Sequence, residues 1–225
     1  MNLTKTSLLI TSLISSPFAF ANSGIDFSNS KQHYSGFEVG YGSNDFAIGL
    51  QYAKQLNTDW SMLSAYNNDS NFDNHQLKLD FQRSDGLGLA FKYNHDQDYR
   101  SEGLRANDYE FEIYNNKALT KKFTVTPQIS LGNIEHQKMS SSVYYTTASL
   151  DMNYKLRPDV WVGVTPEYTY SLGKVNEKNG HQSTLRDWDY AAELGYQFNK
   201  SSALVYSYHY DNGDNLSLFS FKHTF

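Results

Sequence analysis

The residues of this sequence with the greatest capacity for acid–base chemistry are its seven histidines and 24 carboxylates, and one group of them is close in a simple pairing scheme. If the segments beside the turn at 199–202 pair as antiparallel strands, Ala192 falls opposite His209. Glu193 and Asp211 are then near the imidazole, and a neighbouring carboxylate orients such a ring and raises its basicity. An ordinary polar contact between strands fits the same residues, and this is the interpretation we favour.

The residue patterns required for metal binding, lipid hydrolysis and phosphate binding are missing from the sequence. No His/Cys cluster has metal-ligand spacing, no serine–histidine spacing matches a lipid-hydrolase signature, and no glycine-rich phosphate loop is present. The chain has no cysteine, so it carries no disulfide framework. The net charge of −5 disfavours nucleic acid as a partner. The sequence therefore predicts a protein that is not an enzyme and has no cofactor and no metal.

The first 21 residues, "MNLTKTSLLITSLISSPFAFA", have the pattern of a secretory signal peptide. Lys5 precedes an apolar stretch from Leu8 to Phe20, and Ala19 and Ala21 are the small residues of a cleavage site. Removal of residues 1–21 leaves 18 basic and 24 acidic residues, a net charge of −6.

The remainder of the chain alternates apolar and polar residues. The run "WDYAAELGYQF", residues 188–198, is the clearest example. Only 39% of the residues are hydrophobic, yet there are 18 tyrosines and 14 phenylalanines. After residue 21 nothing approaches the ~20 consecutive apolar residues of a spanning helix. A period of two indicates strands with one apolar and one polar face.

The connections between these strands alternate between two lengths. Short polar turns, "LNTDW", "RSDGL", "LTKKF", "LRPDV" and "FNKSS", alternate with longer stretches at 67–74, 95–107, 135–142 and 172–184. The tight connections at 42–45 and 211–215 occupy longer-loop positions. Eleven connections predict twelve strands, or ten if the weakly alternating segment 60–67 is not a strand.

These features predict an all-β fold, a transmembrane antiparallel up-and-down β-barrel over residues 34–225. In hydrocarbon every backbone N–H and C=O must be paired, so a spanning sheet must close. A soluble β-sandwich also alternates, but its core is usually rich in Val, Ile and Leu. Here Tyr and Phe concentrate toward strand ends, as in the aromatic girdles of a membrane barrel. Residues 22–33 form a polar leader, which could hang in the periplasm or fold into the barrel.

The signal segment, the aromatic strands and the last strand "NLSLFSFKHTF" together resemble Gram-negative outer-membrane β-barrel proteins. The resemblance implies residence in the cell outer membrane, among its lipid and lipopolysaccharide. It also implies that Phe219, Phe221 and Phe225 form the signal read by the barrel-assembly machinery, with His223 a departure from that pattern. The layout is similar to small porins specific for acidic sugars and oligogalacturonate, which implies a monomer.

If the apolar positions face lipid, the positions between them face the lumen. Five of these predicted lumen residues are basic and nine acidic, a net charge of −4, opposite to the basic lumen that the resemblance implies. The sequence therefore predicts a porin-like channel for passive diffusion of small hydrophilic solutes, cations or neutral molecules above all. The alternative is a structural or surface-interaction barrel whose lumen is plugged, and an outer-membrane hydrolase is a third possibility. The predicted lumen residues are Glu38, Lys78, Asp80, Lys92, Glu110, Glu112, Lys122, Asp151, Lys155, Glu167, Asp187, Asp189, Glu193, His209 and Lys222.

Overall fold

The structure, a computed structural model, describes residues 24–43, 45–69, 74–98, 104–211 and 214–225. The predicted signal peptide lies outside these residues. Twelve long strands are found in the described part. They are β1 (Gly36–Gly42), β2 (Asp45–Gln55), β3 (Trp60–Asp69), β4 (Asn74–Arg83), β5 (Leu87–Asp98), β6 (Leu104–Asn115), β7 (Phe123–His136), β8 (Val143–Arg157), β9 (Val160–Ser171), β10 (Arg186–Asn199), β11 (Ser202–Asp211) and β12 (Asp214–Thr224).

The strands form one closed antiparallel barrel. Each pairs with its neighbour in sequence, and β12 returns to pair with β1, where Phe221 lies opposite Val39. Lys117–Ala118 continues β6 along β7 in the same register. The prediction of an all-β barrel with twelve strands is confirmed, and the doubtful segment 60–67 lies within β3.

The two ends of the barrel differ, as the lengths of the connections predict. Five short turns lie at one end, here called the turn end, together with the start of β1 and the end of β12, where Gly36 pairs with Thr224. The longer connections lie at the loop end. The connection between β7 and β8 is joined to the connection between β9 and β10, since the Ser140 N–H donates to the Asn176 carbonyl at 2.8 Å. In outer-membrane barrels the short turns face the periplasm.

The outer surface of the barrel is apolar. Leu131, Leu194 and Phe111 are about half exposed at mid-height, because their strands turn alternate side chains outward. Exposed aromatic residues flank this band at both ends: Tyr41, Tyr109, Tyr144, Trp188, Tyr190, Tyr208 and Tyr210 toward the loops, and Tyr52, Tyr154, Phe198 and Phe225 toward the turns. Separately, the described residues contain no helix that is long and apolar enough to cross a membrane.

His223 closes an aromatic stack on this surface at the turn end. Its ring stacks on Phe221, with centroids 6.2 Å apart, and lies 5.5 Å from the ring of Phe37. Its Nδ1 is 2.9 Å from the Ser202 hydroxyl. The imidazole therefore offers a flat face to its aromatic neighbours while its polar edge is hydrogen-bonded, which suits an interfacial position.

Candidate functional site

The interior wall formed by β4, β5 and β6 carries a network of charged side chains. Antiparallel pairing places Lys78 beside Lys92, and Lys92 beside Glu110. Lys92 Nζ lies 2.8 Å from Glu110 Oε1 and 2.6 Å from Glu112 Oε2, while Lys78 Nζ lies 2.8 Å from Asp80 Oδ2. Each of these lysines is therefore held by carboxylates on its own or the adjacent strand.

Three large aromatic side chains also face the interior, and each lies across a glycine of the neighbouring strand. A Cβ atom at Gly88 would be 2.0 Å from Tyr114 Cζ, so only glycine permits this approach. The three pairs are Tyr114 over Gly88, Tyr145 over Gly132 and Trp161 over Gly195. These rings were not among the predicted lumen residues, because alternation along the strands assigns aromatic residues to the lipid face. An aromatic residue in the polar phase, paired with a glycine, is the signal that identifies them.

Each of these rings donates a hydrogen bond to a carboxylate in the interior. The Tyr114 hydroxyl donates to Asp80 at 2.7 Å, and the Trp161 indole N–H donates to Glu193 at 2.6 Å. The Tyr145 hydroxyl lies 2.8 Å from both carboxylate oxygens of Asp108. Ring and carboxylate fix one another, so the inner wall is rigid at these points.

Residues 24–35, here called the N-terminal segment, lie inside the barrel at the turn end. The segment is compact, because the Asn29 N–H donates to the Asp26 carbonyl and the Gln32 N–H donates to the Asn29 carbonyl, both at 3.0 Å. Phe27 and Lys31 are 6% and 8% exposed. The described part of the predicted leader, residues 24–33, is thus folded into the lumen.

On one side the N-terminal segment makes an apolar contact with β9 and β11. The ring of Phe27 packs with Trp161, Ala203 and Val205, a cluster here called the apolar anchor. The Phe27 ring also meets Tyr34 edge to face, with centroids 5.3 Å apart.

On the opposite side the N-terminal segment contacts the charged wall. Lys31 Nζ lies 2.7 Å from Glu112 Oε1 and 4.3 Å from the centroid of the Tyr114 ring, and we call this arrangement the ionic seat. Burial and the positive charge of Lys78 lower the pKa of Lys31 to about 8, so the attraction of Glu112 offsets only part of the cost of burying this ammonium group.

Further polar contacts tie the segment to the wall between these two sides. His33 Nδ1 is 2.9 Å from the Ser61 hydroxyl, and the Asn116 amide donates to Asn29 Oδ1 at 2.7 Å. The Ser30 hydroxyl donates to Asp151.

A cavity of about 780 Å³ occupies the interior beside the N-terminal segment. Its wall reaches from Phe27 and Lys31 to Asn67 and Asn94, toward the loop ends of their strands, and to Leu185, just before β10. Four lysines and seven carboxylates line it, a net charge of −3. They are Lys31, Lys78, Lys92 and Lys222, with Glu38, Asp80, Asp108, Glu110, Glu112, Asp151 and Glu167.

Nine of the predicted lumen residues are among these, and six lie elsewhere. Lys122 is exposed in the turn before β7, and Lys155 pairs with Asp26 of the N-terminal segment. Asp187 lines a separate hollow beneath the joined loops, and Asp189 lies opposite Glu167 in the register of β9 and β10. The other two are Glu193, which accepts a hydrogen bond from Trp161, and His209, which is exposed. Lys31 and Asp108 line the cavity but were not among the predicted lumen residues.

The aromatic residues predicted as an assembly signal lie on the outside of the closing strand. Phe219 and Phe225 are about half exposed, and Phe221 stacks on Phe198 with ring centroids 6.1 Å apart. Their role in assembly stays a prediction.

The histidine–carboxylate group is arranged differently from the predicted pairing. His209 lies opposite Ala191 rather than Ala192, because the register of β10 and β11 shifts by one residue between Gln197 and Asn199. His209 is exposed. Glu193 instead accepts a hydrogen bond from the Trp161 indole N–H. The side chain of Asp211 is outside the described part. Among the described residues, no group of three or more His, Cys, Asp or Glu side chains could hold a metal ion.

Solved structures of outer-membrane channels share this fold. The NanC porin aligns with a TM-score of 0.54 at 13% identity, over 85% of this chain and 98% of its own. The KdgM porin in complex with disordered oligogalacturonate aligns at 0.51 and 10% identity, with the same coverage. An outer membrane channel from Pseudomonas putida F1 aligns at 0.56 and 9% identity, over 91% of this chain and all of its own. No protein-family model and no curated protein matches the sequence. At these identities the likeness establishes the fold, that of an outer-membrane β-barrel.

Proposed function

We propose that this protein is an outer-membrane channel for passive diffusion of small hydrophilic solutes. The observation that carries the proposal is the polar cavity of about 780 Å³ inside a closed barrel with an apolar outer surface. A cavity lined by charged side chains suits hydrated solutes, whereas a purely structural barrel needs no such space.

The charges of the lining favour cations and neutral solutes over anions. Seven carboxylates outnumber four lysines along the cavity, so an anion would meet a negative potential there. Oligogalacturonate, the ligand in one KdgM porin structure, is a polyanion and would be repelled by this lining. The shared fold therefore does not carry that substrate class to this chain.

Conductance in planar bilayers tests the proposal. Purified, refolded protein should give discrete conductance steps in potassium chloride. A gradient of the salt should produce a reversal potential with the sign of cation selectivity. Absence of conductance, from the full chain and from a variant whose N-terminal segment is released, would refute the channel. Marked anion selectivity would refute the assignment of the lumen charge.

A second function, a structural or surface-interaction barrel with a plugged lumen, is favoured by one observation. The N-terminal segment fills the interior at the turn end, where Phe27 is packed among wall residues. A barrel that stays closed to ions after the segment is released would support this second function over the first.

We further propose that the protein acts as a monomer, is assembled through Phe219, Phe221 and Phe225, and catalyses no reaction. Closure of the sheet within one chain satisfies its backbone ladder without a partner, which supports the monomer. The separate environments of His209 and Glu193 support the absence of catalysis.

A further inference from the structure

The ionic seat has the composition of a binding site for an alkylammonium group. Lys31 Nζ is in hydrogen-bond contact with Glu112 and lies over the face of the Tyr114 ring. A carboxylate combined with an aromatic face is the arrangement by which proteins hold organic cations, since both attract positive charge and the ring also contacts the alkyl stem.

The barrel builds this seat without help from Lys31. Tyr114 is 1% exposed, lies across Gly88 and donates its hydroxyl proton to Asp80. Glu112 is held at its second oxygen by Lys92. Both components are therefore in place before any ammonium group arrives, which reduces the cost of binding.

The occupant belongs to a segment that is not part of the wall. Lys31 lies in the N-terminal segment, and Lys31 and Glu112 both line the main cavity. A solute in the cavity thus reaches the carboxylate that Lys31 occupies.

We propose that Glu112 and the face of Tyr114 form a subsite for the alkylammonium groups of cationic solutes, and that Lys31 occupies this subsite as an internal competitor. The inference rests on the proposed channel and names a solute class for it, primary amines. Displacement of Lys31 by a solute amine would change the lining from four lysines to three, and the bound ammonium group would replace the lost positive charge.

Binding of n-butylammonium, measured by calorimetry on the full chain in detergent, tests the subsite apart from conduction. Lys31→Ala vacates the seat and should bind this probe about tenfold more tightly than the wild-type chain. n-Butanol, which has the same stem without the charge, should not bind. Lys122→Ala removes an exposed lysine that lies outside the cavity, and it should change the affinity by less than about twofold, because it leaves the seat occupied.

A second substitution in the Lys31→Ala background locates the probe. Adding Glu112→Gln should abolish the gain, and adding Tyr114→Leu should reduce it several-fold, with folding checked by heat-modifiable migration on gels. Equal affinity of wild-type and Lys31→Ala proteins, or retention of the gain with Glu112→Gln, would overturn the subsite. Either result would leave the conductance measurement of the proposed channel unaffected.

Discussion

The two sides of the N-terminal segment are held by opposite kinds of chemistry. The apolar anchor buries Phe27 against Trp161, Ala203 and Val205. The ionic seat buries the ammonium group of Lys31 against Glu112 and Tyr114. Burial of a phenylalanine side chain contributes about 3 kcal/mol, whereas burial of a charge has a desolvation cost that its partner must offset. The difference indicates that the anchor contributes more to the stability of docking than the seat does.

Removing both contacts has the largest expected effect. Deletion of residues 25–33 takes away the segment that fills the turn end, and single-channel conductance should rise several-fold. Planar-bilayer recordings of the shortened and full-length proteins measure the change. Identical conductance in the two would show that the segment does not obstruct the lumen.

Breaking the anchor alone should release the segment while the seat stays intact. Phe27→Ala leaves a cavity among three wall residues and should weaken docking by about 3 kcal/mol, about a hundredfold in the docked-to-released ratio. Limited proteolysis of the segment in detergent reports this ratio. Phe27→Leu, which keeps most of the apolar volume, is the matched control and should be cleaved much more slowly.

Raising the pH should strengthen docking through the seat. The pKa of Lys31 is about 8 in the docked state and 10.5 when free, so the released state binds more protons between these values. Docking therefore improves as pH rises, by about tenfold between pH 7 and pH 9, and the gain is complete above pH 10.5.

A variant without an amine at position 31 separates this effect from other titrations. Lys78, Lys92, Asp80, Glu110 and Glu112 face the same space and are retained in Lys31→Met. Protease protection of the wild-type segment should rise from pH 7 to pH 9, and protection in Lys31→Met should stay flat. Parallel curves for the two proteins would contradict the assignment to Lys31.

Replacing Lys31 with an uncharged residue has the smallest expected effect on docking at neutral pH. Lys31→Met removes the burial cost of a charge but also the contact that Lys31 makes with the buried carboxylate of Glu112. The two changes offset one another, so docking should be no weaker and change only a few-fold. Cation selectivity should increase, because the lining loses one of its four lysines. Loss of docking as large as that of Phe27→Ala would reverse our ranking of anchor and seat.

The outward face of the barrel was predictable from local pattern. The run from Trp188 to Phe198 alternates without interruption, and its apolar members are exposed on the outer surface. Alternation of apolar and polar residues is visible along a single strand, so it can be recognised without knowing the register between strands. Pairing details depend on the turns instead, and a one-residue shift at the turn before β11 was enough to move His209 to another partner.

The interior could be predicted only in part. The positions of Lys92, Glu110 and Glu112 follow from alternation, but their mutual distances require the register of three strands. Tyr114 was missed because its ring is accommodated by Gly88 on the adjacent strand, 26 residues earlier in the chain. The residue pattern along one strand does not show where a glycine on the neighbouring strand leaves room for a ring.

The sequence by itself therefore determined that this chain forms a membrane barrel, since alternation and the need to pair every backbone group in lipid leave a closed sheet as the solution. It also determined most of the charges that line the lumen. Only the tertiary structure decided what occupies that lumen. Lys31 and Glu112 are 81 residues apart, and Phe27 and Gln197 are 170 apart. Contacts of this kind exist only after the barrel has closed around the segment, and no local property of the polar leader encodes them.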